Sequence, residues 1–532
     1  SQVNAAFAKR GDLDGFWQEI AEHFYPERAD FTTQRSVGAD FASMLYSSEP
    51  ILARRDFGNY IGAAIRPKGR VWFKPSARDD EINSIIEVQA YLEKRGLSTL
   101  ARTRDWRSQF SRAAMAGDHD FVTFGNSVTS IEERPDRSGL RYRTWHLRDC
   151  AWRENFDGEV DTLFRRTKPS VRDLCAREKA GWDIHARIKE RLAKDPDTRV
   201  EIYHILMPAE DYDPQRKTKH RFVSAYVDME NKWLMSTKDV PVFNYAVSRW
   251  FTIDGSPYAF SPAVICALPD ARTLQTMTWS IIEAGEKAVE PPMVAVEEVV
   301  QGGVDIRAGA VTWIDKRYDE RTGEAIRAIE MGGSPQFGEI LRNGITGNLR
   351  DAFYLSKLFL PESGPQMTAQ EIQRRHEEWL RVAQPVIEPA EPERNGRVLD
   401  ITMQLEMQIG LWGDVAQMPK ALQGRDVDFT YDNPLEDARK QSLTNSFRSV
   451  IEASTAAVQT FGPSILKNID SNKAFREAIA GVAPPDWLVP EDEAAKAVQT
   501  EEDAALASKV AAETASIGQA QTQMAANMPT AA

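Results

Sequence analysis

The feature that most limits what this chain can fold into is a long helical stripe set between prolines. Pro262 stands where a first helical turn tolerates proline. Ile265, Leu268, Ala271, Leu274, Thr278, Ile281, Gly285 and Ala288 then recur at steps of three and four, up to Pro291-Pro292. The spacing predicts one helix of about 28 residues, roughly 40 Å long at 1.5 Å per residue. A helix that long outruns a small domain, and its stripe has to be buried against something. Ala271, Ala284, Gly285 and Ala288 are small enough to let a neighbouring helix approach closely.

Beyond the stripe the elements fall in a definite order. Short β-like pieces at Met293 to Val296, Val311 to Ile314 and Ala325 to Ile329 lie among glycines. A second helix is expected over 336–358, carrying Phe337, Ile340, Leu341, Ile345, Leu349, Phe353 and Leu358. A breaker-rich loop comes next, Phe359-Leu360-Pro361-Glu362-Ser363-Gly364-Pro365-Gln366. A third helix starts at Thr368, with Glu371 at the capping-box position, and reaches Pro385. The Pro/Glu-rich stretch 386–396 reads as a linker. Helical periodicity returns from 397, and beyond Pro490 the chain turns Ala-, Glu- and Gln-rich, a solvated helix or a disordered tail.

Upstream, residues 5–30 read as one amphipathic helix ended by Pro26. A second helix is expected over 39–64 and a third from Asp80 to Gly117. The run from Asp120 to Ile131 switches to strand-like sequence. Between 138 and 260, alternation at Leu140–Leu147, Val200–Leu206 and Arg221–Val227, with a helical Val171–Lys194, reads as an α+β domain.

The chain has 532 residues, beyond the size of a single core. Its formal charge of −13 argues against a protein that clings to nucleic acid, but not against one that lets DNA slide past. Cys150, Cys175 and Cys266 form no disulfide framework or metal pair and read as thiols in a reducing compartment. No apolar run approaches the roughly 20 residues of a membrane span, and the start shows no signal-peptide pattern, so a cytosolic product is expected.

Seven histidines include no pair at helical metal spacing, and neither a phosphate-binding loop nor a nucleophile elbow is present. No catalytic, cofactor or metal site is therefore expected. Gly117-Asp118-His119-Asp120 reads as an exposed turn between helix and strand. Asp426, Asp428 and Asp432 lack calcium-loop spacing.

Several stretches, in order, resemble the portal proteins of short-tailed bacteriophages. They are Phe16-Trp17 to Pro26; Pro67 to Trp72-Phe73; Leu268-Pro269-Asp270-Ala271-Arg272-Thr273-Leu274 through Glu290-Pro291-Pro292; and Gly309-Ala310-Val311. Asp351-Ala352-Phe353-Tyr354-Leu355, Met367-Thr368-Ala369-Gln370-Glu371-Ile372, and Leu422-Gln423-Gly424-Arg425-Asp426-Val427 through Leu435 complete the set. The resemblance spans about residues 10–480, with one departure: after Val386 the Pro/Glu-rich segment interrupts a helix usual in that family.

The resemblance implies an α+β, mainly helical portal fold, with wing, stem, clip and crown around a central channel. Residues 1–261 would be wing, 262–292 and 336–358 the two stem helices, and 293–335 the clip. Residues 359–367 would be the tunnel loop, 368–396 a connecting helix and linker, 397–489 the crown and 490–532 the tail. It further implies a homo-oligomeric ring of twelve at one capsid vertex of the virion, assembled in the host cytoplasm. Its partners would be double-stranded viral DNA held without sequence preference, the terminase large subunit, a tail adaptor, and the major capsid and scaffolding proteins. The candidate tunnel-loop residues are Phe359, Leu360, Pro361, Glu362, Ser363 and Gly364. The candidate clip contacts are Lys316, Arg317, Asp319 and Arg321, and the candidate stem-packing residues Leu274, Ile281, Gly285 and Ala288. In a closed ring the neighbour's helix would cover the stem stripe. The alternatives are another virion protein, such as a tail adaptor or internal protein, or a hydrolase of unrecognised type.

Overall fold

The computed structural model describes residues 2–431 apart from 37, 42–44, 84, 214, 216–217, 290–292, 296–299, 302–312, 315–325, 329–334, 359–380, 382 and 414–416, and also residues 447–448 and 450–454. Two compact units divide at Asn433/Pro434. In the second, the described residues are helical.

The first unit is α+β. Its centre is a three-stranded antiparallel sheet in which Asn126–Glu133 lies between Leu140–Trp145 and Tyr245–Arg249. A five-stranded antiparallel meander stands beside it: Cys150–Glu154, Val160–Thr167, Ile202–Pro208, Phe222–Asp228 and Trp233–Val240. Side chains of successive strand residues point to opposite faces, and the meander is covered on both. Ile202 packs with Val171, Leu174 and Ile188 on the face carrying the helices Val171–Ala176 and Ala186–Lys194. Tyr203 packs with Phe164, Val3 and Ala6 on the face carrying the first helix, Gln2–Ala8.

The N-terminal helix is two helices, Gln2–Ala8 and Gly11–Phe24, where one was expected. The break is made by Arg10. Its buried guanidinium donates to the carbonyls of Leu147 (2.7 Å), Arg148 (2.7 Å) and Cys150, tying the helix junction to a turn that periodicity cannot foresee. The next helix is Glu49–Ile65, starting ten residues later than expected.

The stretch expected as one helix from Asp80 to Gly117 consists of Asp80–Asn83, Ile86–Arg104 and Phe110–Phe124. The last of these runs through the residues read as an exposed turn and the start of a strand, and this is a correction. Asp118, His119 and Asp120 are 2%, 6% and 1% exposed. They stay helical because their charges meet partners inside the fold. Gly125, at φ 73°, ends the helix: its amide donates to the Phe121 carbonyl at 2.9 Å, and a side chain there would collide with the Phe260–Ser261 backbone.

The second correction concerns the Pro/Glu-rich stretch. It is not a linker. Residues 383–391 are α-helical, Pro392–Gly396 form a π-helical turn, and Arg397–Gln408 continue as α-helix. A π-turn widens the coil next to Pro389 and Pro392, which remove helical donors. The segment is buried at Val386, Ile387, Ala390, Arg394 and Asn395. Its continuation is fastened by Glu406, 1% exposed, which accepts from Arg102 Nε (2.7 Å), Arg102 Nη2 (2.9 Å) and Thr99 Oγ1 (2.6 Å). The strand Val427–Tyr431 then pairs antiparallel with Phe73–Ala77. Composition read this stretch as a linker, whereas burial of Val386, Ile387 and Ala390 and the buried pairing of Arg394 with Asp118 make it part of the core.

The long helix is present over Pro262–Val289, and Pro335–Ala352 packs along it. Tyr354, at φ 57°, separates Pro335–Ala352 from Leu355–Leu358 within the helix expected over 336–358. Between the long helices, Met293–Ala295 pairs with Ile326–Ala328, and Val300–Gln301 with Trp313–Ile314, all antiparallel.

Candidate ring interface and its buried anchor

The long helix has two regimes. In its first four turns Ala263, Val264, Ala267, Leu268, Ala271 and Leu274 are at most 4% exposed, packed within the chain against Gly11–Phe24 and Phe110–Phe124. Gln275 closes this part. Its Oε1 accepts from the amides of Tyr46 (2.8 Å) and Ser47 (2.9 Å), and its Nε2 donates to the Ser47 carbonyl at 2.8 Å. Arg272 pairs with Glu19 at 2.6 Å, and Arg350 on the returning helix with Glu49 at 3.1 Å. Phe353, fully buried, meets Phe24 at 5.5 Å and Phe57 at 6.1 Å, anchoring the end of the returning helix.

Beyond Thr278 the pair leaves apolar side chains in the open. Trp279 is 46% exposed, Ile282 42%, Val289 82%, Ile340 69% and Leu341 44%. Several large apolar side chains exposed on one helix pair are candidates for an interaction surface. Of the expected stem-packing residues, Leu274 is fully buried inside its own chain. Ile281 packs on the returning helix, its Cγ1 3.1 Å from where a β-carbon on Gly338 would sit. A β-carbon on Gly285 would meet nothing within 4 Å. Ala288 lies on the helix, but its side chain falls outside the described residues. So do Phe359 to Gly364 and Lys316, Arg317, Asp319 and Arg321. The exposed residues Trp279 and Ile282 lie off the stripe read from the sequence, which is why that reading passed over them.

The helix Phe110–Phe124, against which the long helix packs, carries a buried charge cluster. Asp118 pairs with Arg394 Nε at 3.0 Å through Oδ1 and with Arg66 through Oδ2. Arg394, 2% exposed, also donates to Ser127 Oγ (2.6 Å), Ser248 Oγ (3.3 Å) and the Ala114 carbonyl (3.2 Å). Its Nη2 occupies the space a side chain on Gly117 would need. Arg66 donates to Asn395 Oδ1 at 2.7 Å, and Asn395 donates to the Ile65 carbonyl at 2.9 Å. On the same helix, Asp120 pairs with Arg28 at 3.1 Å. His119 Nδ1 lies 3.2 Å from Arg54 Nη1.

Burial sets the protonation chemistry of this cluster. It lowers Arg66, an effect opposed by Asp118, and raises Asp120 despite Arg28. It also pushes His119 down to about 4, with Arg54 acting in the same direction. His204, buried against Tyr245 and Ser224, lies well below its ordinary value. The groups around Asp118 to Asp120 tie this helix to Arg28, Arg54, Arg66, Ser248 and Arg394. Among the described residues no group of three or more His, Cys, Asp or Glu is placed to hold a metal ion, and no helix is long and apolar enough to cross a membrane.

The chain thus carries a long helix with a second helix packed along it, several exposed apolar side chains on that pair, and a buried charge cluster near its start. The family described as bacteriophage head to tail connecting protein matches residues 1–488, and the chain belongs to that family. It is thus a structural component of a phage virion. Among relatives, the probable portal protein of Bordetella phage BPP-1 is 22% identical over 495 residues, covering 90% of this chain and 86% of that protein. The portal protein of Salmonella phage epsilon15 is 21% identical over 501 residues, covering 91% and 87%. Among solved structures, a chain from the neck of an empty gene transfer agent particle matches 78% of this chain and 90% of its own at 10% identity, with a TM-score of 0.34.

Proposed function

We propose that this connector is a portal protein, twelve copies of which form a ring at one capsid vertex. The observation that carries the ring is the apolar surface on the far half of the helix pair. Among the described residues Ile282, Ile340 and Leu341 stay 42%, 69% and 44% exposed, and Trp279 stays 46% exposed although Tyr46 lies against one side of its ring. In a heterologous contact that closes, a neighbour's helices supply that cover. Open space at Gly285 lets such a helix approach closely.

In this reading 1–261 is wing, 262–292 and 336–358 are stem, and 293–335 is the clip, which meets terminase during packaging and the tail adaptor afterwards through Lys316, Arg317, Asp319 and Arg321. Residues 359–367 are the tunnel loop, with Phe359 to Gly364 facing double-stranded DNA that slides without sequence preference. Because Arg397–Gln408 and Val427–Tyr431 are built into the first unit, we place the start of the crown after 433 instead of at 397. The ring is assembled in the host cytoplasm with capsid and scaffolding proteins, and its task is to conduct and dock, with no catalytic step.

Electron microscopy of the purified chain, with its mass measured on the same sample, tests this. The expected result is rings with a central hole near ~720 kDa, twelve times 59.9 kDa. A stable monomer or dimer at every salt concentration would reject the reading.

A further inference from the structure

A cleft of about 1320 Å³ opens where the edge of the three-stranded sheet meets the helix-bearing face of the meander, away from the stem. Its lining holds nine arginines and one lysine against three aspartates and one glutamate, in a chain whose net charge is −13. Part of this charge is matched locally, as in Arg148 with Asp30 and Arg141 with Glu132. The guanidiniums of Arg143, Arg165, Arg177 and Arg199 have no ion pair among the described residues.

Three of these cations, Arg143, Arg165 and Arg177, are held against aromatic rings. Arg165 is 5% exposed, and its Nε and Nη1 have no hydrogen-bond partner among the described residues. It lies 3.8 Å from the ring of Trp145, which also carries Arg143 at 3.9 Å. Arg177 lies 5.4 Å from the ring of Trp182. The rings of the cleft thus serve the guanidiniums and are not left free to stack on bases. What the cleft offers a ligand is planar, forked donors, the geometry that suits phosphate oxygens. Crowded like charges are answered better by a phosphate, with up to two negative charges and three or more acceptor oxygens, than by a single carboxylate.

We propose that this cleft binds phosphate, borne by a free nucleotide or by a nucleic-acid backbone, without reading bases. Its success or failure is independent of the ring, because no cleft residue named here lies on the stem.

Fluorescence anisotropy of the full-length chain with labelled duplex oligonucleotides of two unrelated sequences tests it. Inorganic pyrophosphate serves as competitor, and a polyglutamate peptide as a second probe. Binding is expected to be alike for both sequences and to weaken steeply with salt. The pair Arg177→Glu and Arg199→Glu, both exposed and so compatible with folding, is expected to weaken it by about tenfold or more. Arg78→Glu, an exposed cation outside the cleft, is expected to leave it unchanged. Displacement of the duplex by pyrophosphate at comparable concentration assigns a free-phosphate source, and resistance assigns the backbone. The proposal is overturned if neither duplex nor pyrophosphate binds, if polyglutamate binds more tightly than both, or if Arg78→Glu weakens binding as much as the cleft pair.

Discussion

Arg394 and Asp118, 276 positions apart in the chain, form an ion pair at 3.0 Å with both side chains almost wholly buried. The arginine stands on a π-turn in a segment whose composition reads as a linker, and the aspartate on a helix face whose composition reads as a solvated turn. Each looks like a surface residue until the other is placed beside it.

Removing Arg394 takes one of two cations from the buried Asp118 and leaves Arg66 alone to offset it. Arg394→Met is expected to cost about 3 kcal/mol of protomer stability, the lower end for a broken buried pair. Arg394→Lys is expected to rescue little, since an ammonium cannot span Asp118, Ser127 and the Ala114 carbonyl together. Urea unfolding of both variants beside the parent measures this, and a loss under about 1 kcal/mol for the methionine variant rejects the anchor.

Stability is expected to fall as pH drops from about 6.5 to 4. In the unfolded chain histidines take up protons near 6.5, whereas His119 resists until about 4 and His204 lower still. The unfolded state therefore binds more protons in that window, and the stability contributed above it is lost on acidification. The displacement of His119 from about 6.5 to about 4 is worth about 3 kcal/mol. Asp120, raised by burial, works in the opposite sense, because its folded form keeps a proton to higher pH. Comparing melting temperatures of the parent and His119→Gln across this range isolates the histidine, whose replacement should flatten the slope.

Gly285→Leu separates folding from assembly. Open space at this position and the helix preference of leucine over glycine predict a protomer as stable as the parent or more so, by about 0.5–1 kcal/mol. Ring formation is expected to drop sharply, as read by mass photometry. Unchanged ring yield would mean that no helix packs closely there.

Ile340→Asp and Ile282→Asp replace exposed apolar side chains on the two helices. Each is expected to change protomer stability by less than about 0.5 kcal/mol while abolishing rings. Loss of the fold in place of the rings would show that these side chains serve the protomer.

Deleting 360–366, the proposed tunnel loop, is expected to leave ring yield intact and to reduce DNA retained after packaging. Rings that fail to form would assign the loop a structural task.

The long helix, its return and the β insert between them were legible because each rests on local sequence alone: prolines at the ends, steps of three and four within, glycines between. Local sequence also made a family resemblance readable across most of the chain. It misplaced 117–120 and 386–396 for one physical reason. Helix or turn, core or surface, is decided for a charged residue by whether a partner neutralises it, and Asp118 finds Arg66 and Arg394 only after the chain has folded. It likewise passed over the split at Arg10, whose guanidinium is held by carbonyls some 140 positions away. The sequence by itself determined the long helix, its return and the β insert between them. Only the tertiary structure decided which half of that helix the protomer covers for itself, because burial is a property of what lies opposite a side chain and not of its spacing.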